Sequence, residues 1–176
     1  GYDLLLFILC VVWLAFTVRR ILLAVTGFTI AHSVTLGLAA LGAVTPEIEP
    51  TEALIALSII FVAAELARQN KGSLSWRYPV AVSSVFGLLH GFGFASVLKE
   101  IGLPTDDVLM ALFAFNLGVE VGQLLFILVL VLLAWTVHKT SAGKFDLTAT
   151  AFQRLGGYAV GIFATFWFFE RLATFG

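Results

Sequence analysis

His32, His90 and Glu120 each interrupt an otherwise apolar run, and each has polar or glycine neighbours at helical spacing. His32 lies eleven residues past Ile21, His90 eleven past Pro79 and Glu120 twelve past Val108. At about 1.5 Å per residue, the count predicts all three roughly 16 to 18 Å along their helices. An ionisable group that deep in an apolar helix costs about a few kcal/mol on insertion scales, so it turns inward and marks a site. Residues three or four apart share a helix face. Thr29 and Ser33 flank His32, Ser83 precedes His90 by seven, and Asn116 and Gln123 flank Glu120, so each helix is expected to carry a polar stripe. Imidazole, carboxylate and amide oxygen together suit divalent first-row metals such as nickel, cobalt, zinc or iron, and the lack of a thiolate disfavours Cu(I). His32, His90, Glu120 and Asn116 are the candidate metal ligands. A lone buried histidine is more often a hydrogen-bonded packing residue, but four such side chains at one depth share a cost that packing does not explain. A permanent metal site and a transport site look alike here, since both need neutral histidine and ionised glutamate.

The elements that position these residues follow from composition. The chain has 176 residues, 60% of them apolar and 12% charged, with mean hydropathy +1.04. Soluble domains sit near half apolar and a quarter charged, so the expected solvent is lipid. The fold class is all-α, a polytopic transmembrane helix bundle forming one domain over residues 1–176. Crossing ~30 Å of hydrocarbon takes ~20 apolar residues. Six spans are predicted, over Asp3 to Val18, Ile21 to Leu41, Glu52 to Ala67, Pro79 to Leu98, Val108 to Val137 and Gly156 to Phe169. Arg19, Arg20, Arg68, Lys71, Arg77, Lys139, Lys144 and Arg154 fall in one set of alternate loops, against Lys99 and Arg171 in the other. The positive-inside bias places the first set in the cytoplasm and both termini outside. Trp13, Trp76, Trp135 and Trp167 lie near span ends, where amphipathic rings prefer to sit. The chain opens on Gly1 with neither Met nor a basic segment, as expected of a start that has been processed or cut.

The other polar residues have plainer readings. Gly87 with Gly91, Gly118 with Gly122 and Gly157 with Gly161 form small-xxx-small pairs that let helices approach. The pair in the fifth span lies nearly opposite Glu120, which predicts tight packing on one side and a polar lining on the other. Glu65 is expected to pair with Arg68 at i+3, and Glu52 to favour a helix N-terminus. His138 belongs to a solvated basic loop, and Cys10, the one cysteine, is an inert buried thiol. A formal net charge of -1 offers nothing to nucleic acid.

Three runs carry a resemblance: Phe28-Thr29-Ile30-Ala31-His32-Ser33-Val34-Thr35-Leu36, Phe86-Gly87-Leu88-Leu89-His90-Gly91-Phe92-Gly93-Phe94-Ala95 and Phe115-Asn116-Leu117-Gly118-Val119-Glu120-Val121-Gly122-Gln123. With Glu52 to Ser58 they resemble the signature segments of the HupE/UreJ family, in order and across nearly the whole chain. The resemblance implies a multi-pass protein of the bacterial inner (cytoplasmic) membrane that handles nickel, usually as a permease, with His32, His90 and Glu120 as metal contacts. The family's first span tends to open Gly-x-Asp-His-Leu-Leu-Phe, and here Leu4 stands at the histidine position.

Three functions compete. As a permease, the acidic outer loops and Asp3 gather cations, the midplane residues replace part of the hydration shell, and Glu65 offers an exit; binding must be weak enough to release. With no P-loop in the sequence, transport is passive, ion-coupled or driven through another subunit. As an intramembrane hydrolase, a metal on His32 and His90 activates water and Glu120 is ligand or base. As a non-catalytic subunit, the polar stripe binds a partner helix. The expected partners are a metal ion and the lipid bilayer, with a homo-oligomer or a second membrane subunit left open.

Overall fold

A computed structural model describes residues 2–101 and 107–174, the side chains of 96–101 excepted. Its regular structure is all helical among these residues: α1 (Tyr2–Ala15), α2 (Val18–Ala40), α3 (Ile48–Arg68), the single turn α4 (Leu74–Arg77), α5 (Pro79–Ile101), α6 (Val108–Thr140) and α7 (Thr150–Leu172). Three of them, α2, α3 and α6, are long and apolar enough to cross a membrane, while α1 and the described part of α5 are apolar but shorter.

Local chemistry sets the boundaries. Phe16 adopts a left-handed φ of 58°, which ends α1, and Thr17 then caps α2 by accepting from the Arg20 N–H at 3.3 Å. α3 starts four residues before the predicted Glu52. Pro50 falls inside its first turn, where no helical partner awaits the N–H that proline lacks. α3 closes on Gln69, whose left-handed backbone lets its N–H reach the Glu65 carbonyl at 3.2 Å. α7 overruns the predicted Gly156 to Phe169 at both ends, because Arg154, Glu170 and Arg171 end an apolar count without breaking a backbone ladder. Before α7, Asp146 accepts from the Thr148 hydroxyl at 2.6 Å and its N–H at 2.8 Å, which holds the carboxyl below its ordinary range.

Successive long helices alternate in direction. α2 and α5 run parallel, with Gly87 on Phe28 and Gly91 on His32. α3 and α7 run antiparallel, with Gln69 bonded to Gln153 near one end and Glu52 paired with Arg171 at 3.3 Å near the other. α3 is central, with 61% of its most apolar stretch buried, whereas α6 is peripheral, with 6%. Leu109, Phe113, Val129 and Ile162 lie open on the outside, a surface that a protein in water would have to hide. At about 50 Å, α6 exceeds the hydrocarbon thickness and must tilt or project. Its Asn116, Glu120 and Gln123 face meets α2, and a Cβ at Gly118 or Gly122 would touch nothing within 4 Å among the described residues. The close packing expected of that glycine pair is absent among the described residues.

Candidate functional site

The α2–α5 seam brings the two buried histidines together. A Cβ at Gly87 would meet the Phe28 carbonyl oxygen at 2.5 Å, and one at Gly91 would overlap Thr35 Oγ1 and the His32 carbonyl oxygen. These glycines sit three residues before and one after His90, so its turn of α5 lies backbone to backbone against the turn of α2 that bears His32. Both imidazoles are fully buried. Phe28 lies against both rings, with centroids 6.0 Å from His32 and 5.2 Å from His90. Phe94 closes over His32 and Phe7 over His90, at 5.2 and 5.3 Å.

Hydrogen bonds fix the tautomer of each ring. Asn116 donates its amide N–H to the Leu112 carbonyl at 2.8 Å, which leaves Oδ1 facing His32 Nδ1 at 3.0 Å. Nδ1 therefore carries the proton, and Nε2 keeps a lone pair. Ser58 donates to the Ile55 carbonyl at 2.6 Å, so its oxygen is an acceptor toward His90 Nε2 at 3.1 Å. That ring has the opposite tautomer, with its lone pair on Nδ1. His32 Nε2 and His90 Nδ1 are both buried without a hydrogen-bond partner among the described residues. A buried nitrogen without a partner is costly, and one nitrogen tied with the other free is the arrangement of a metal-ligating histidine.

The other predicted residues fall into three groups. Asp3 lies near enough to His90 for the two to interact electrostatically, as His32 does. Along the α2–α6 seam, Thr26 donates to Glu120 Oε1 at 2.9 Å and Thr29 to Gln123 Oε1 at 3.2 Å, while Ser33 bonds back to the Thr29 carbonyl at 2.6 Å. Glu120 thus meets α2 at Thr26, six residues before His32. Among the described residues no three His, Cys, Asp or Glu side chains stand together as a metal-binding group. Ser83 is buried in α5 with its hydroxyl unpartnered.

Glu52 and Glu65 lie apart from the histidines. Glu52 belongs to the ion pair with Arg171. The expected Glu65 to Arg68 pair does not form: Glu65 is buried with Oε2 unpartnered, while Arg68 projects outward. Trp76 covers this end of α3 by donating to the Glu65 carbonyl at 3.3 Å, and it is buried. Ser58 and Thr26 are further members of the site. Thr26 continues the Thr29 and Ser33 stripe three residues back, a signal present in the sequence, whereas Ser58 is marked only by its polarity in an apolar run and its place at the end of the Glu52 to Ser58 segment.

No curated protein and no solved structure matches this chain. The family model described as HupE / UreJ protein matches residues 1–171, essentially the whole chain. With the buried histidine motifs in place and the match that extensive, the chain belongs to the HupE/UreJ family.

Proposed function

We propose that this protein is a multi-pass permease for a divalent transition metal, nickel first among cobalt, zinc and iron, in a bacterial inner membrane. The observation that carries the reading is the pair of buried histidines, each with one nitrogen tied and the other offering an unshared lone pair. Neutral imidazole is a borderline donor that suits these ions, and two nitrogens without a full protein cage bind weakly enough to let cargo pass. Asp3 supplies negative charge beside His90, Asn116 orients His32, and Glu120 with Thr26, Thr29 and Gln123 continues the polar stripe along α6. The spans in this reading are α1, α2, α3, α5, α6 and α7, with both termini and Glu52 outside and Arg68 in the cytoplasm. Its supports are the alternating helix directions and the eight-to-two sorting of Lys and Arg.

The test is nickel, cobalt and zinc uptake into proteoliposomes, with hydrolysis of lipid and peptide substrates scored beside it. Ser58→Ala removes only the group that fixes the His90 tautomer. It is expected to weaken metal binding by about 10- to 100-fold, the usual effect of losing a partner of a ligating histidine. Hydrolysis without uptake would replace the permease with an enzyme. For the topology, cysteines introduced by Lys71→Cys and Asp106→Cys should label from opposite sides. Asp106 lies outside the described residues, and Cys10, fully buried, should stay silent. Labelling of both from one side ends the six-span arrangement.

A further inference from the structure

Arg19 and Arg20 open α2 and Arg77 closes α4, and none of the three has an acidic partner among the described residues. All three line one cleft of about 610 Å³, together with Thr17 and Tyr78. α2 and α5 run parallel and both begin here, at Val18 and Pro79, so two helix N-termini add their partial positive charge to three guanidinium groups. Like charges gathered in one cleft repel unless an anion joins them, and a guanidinium fork fits phosphate oxygens.

The other wall is apolar. Leu23, Val80 and Ala81 line it, and the surface continues over Leu22 and Val85, which are 46% and 62% exposed. A free anion gains nothing from such a wall, whereas a molecule with a phosphate head and hydrocarbon tails uses both halves. We propose that the cleft between Arg19, Arg20 and Arg77 is a binding site for the headgroup of an anionic phospholipid, whose acyl chains lie along the outer surface of α2 and α5. Basic clefts between membrane helices bind lipid headgroups through this combination of charge and hydrocarbon. The site shares no residue with the histidine pair, so its test and the metal-uptake test fail independently.

The experiment uses full-length protein in nanodiscs of phosphatidylcholine containing a minority of phosphatidylglycerol, and reads the lipid retained by native mass spectrometry. The wild type is expected to retain phosphatidylglycerol in preference to phosphatidylcholine. Each basic side chain beside an anionic headgroup is worth about a fivefold factor. Retention should therefore fall about fivefold in Arg77→Gln and about 100-fold in the triple variant Arg19→Gln, Arg20→Gln, Arg77→Gln. The single variant keeps the test alive where the triple one does not fold. Lys139→Gln, Lys144→Gln, Arg154→Gln removes the same charge outside the cleft and should retain lipid as the wild type does. Equal losses in the two triple variants would reduce the effect to general surface charge and overturn the site. Equal retention of phosphatidylcholine by the wild type would overturn it too. If glycerol 3-phosphate or inorganic phosphate raises the melting temperature of detergent-solubilised protein as much as phosphatidylglycerol does, the ligand is a soluble anion and the lipid assignment fails.

Discussion

His90→Ala is expected to slow nickel uptake into proteoliposomes by at least about 100-fold, beyond the range for losing a ligand's outer partner. The substitution removes the Nδ1 lone pair and leaves Ser58 satisfied by its own bond to the Ile55 carbonyl. It also opens a space between Phe7 and Phe28, so on its own it mixes lost packing with lost chemistry. His90→Phe separates them, because a ring of similar size restores the contacts without supplying a nitrogen. Both variants should be transport-dead while the phenylalanine variant keeps wild-type melting. Wild-type uptake by His90→Phe would make His90 a packing residue and remove the basis of the metal reading. Glu120→Gln is the parallel probe on the other seam. It keeps an acceptor for Thr26 and loses only charge, so a loss of transport there assigns the carboxylate to the ion's path.

The second large effect is structural. Gly87→Val or Gly91→Val should destabilise the folded protein by at least about 3 kcal/mol, the upper part of the range for overpacking. The atoms that a new side chain would meet include backbone of α2, which cannot swing aside as the end of a flexible side chain can. Gly118→Val and Gly122→Val meet open space and should stay within about 0.5 kcal/mol, as surface changes do. Unfolding in mixed detergent micelles measures all four. Comparable losses at the two pairs would sink the view that the α2–α5 contact, rather than glycine content in general, holds the histidines in place.

The sequence made some of this legible and hid the rest for definite reasons. Depth along a helix is a one-dimensional count, so the burial of His32 and His90 could be read from their distance to the span ends. The same count put Glu120 level with them, and the structure gives it Thr26 as its hydrogen-bond partner, which the count does not reveal. Hydrogen-bonded level depends on how far antiparallel helices slide past one another, and α6 is longer than α2 by ten residues, 33 against 23. The Gly87 and Gly91 spacing announced a close helix contact, but the same spacing at Gly118 and Gly122 faces outward, because a motif does not say whether a partner stands opposite. Glu65 had Arg68 at a favourable spacing, yet α3 turns the glutamate inward, beneath Trp76, and the arginine out. The tautomers of the two histidines rest on bonds from Asn116 and Ser58, which no spacing within one helix reveals.

The closest helix partners are not neighbours along the chain: α2 lies on α5, and α3 on α7. During synthesis α2 is complete at Ala40, but the last residue of α5 comes 61 positions later at Ile101. At about 5–20 residues per second, the His32 face waits on the order of 3 to 12 seconds for the helix that covers it. α3 waits longer still, since the glycine that seats against Ala63 and Ala67 is Gly157, close to the end of the chain. Early helices must therefore tolerate bare polar side chains in the bilayer, and a ribosome that stalls after α6 leaves the α7-facing side of α3 uncovered. Such a truncated product would present Ala63 and Ala67 as a backbone groove, ready to take up the wrong helix or to be recognised by a membrane protease.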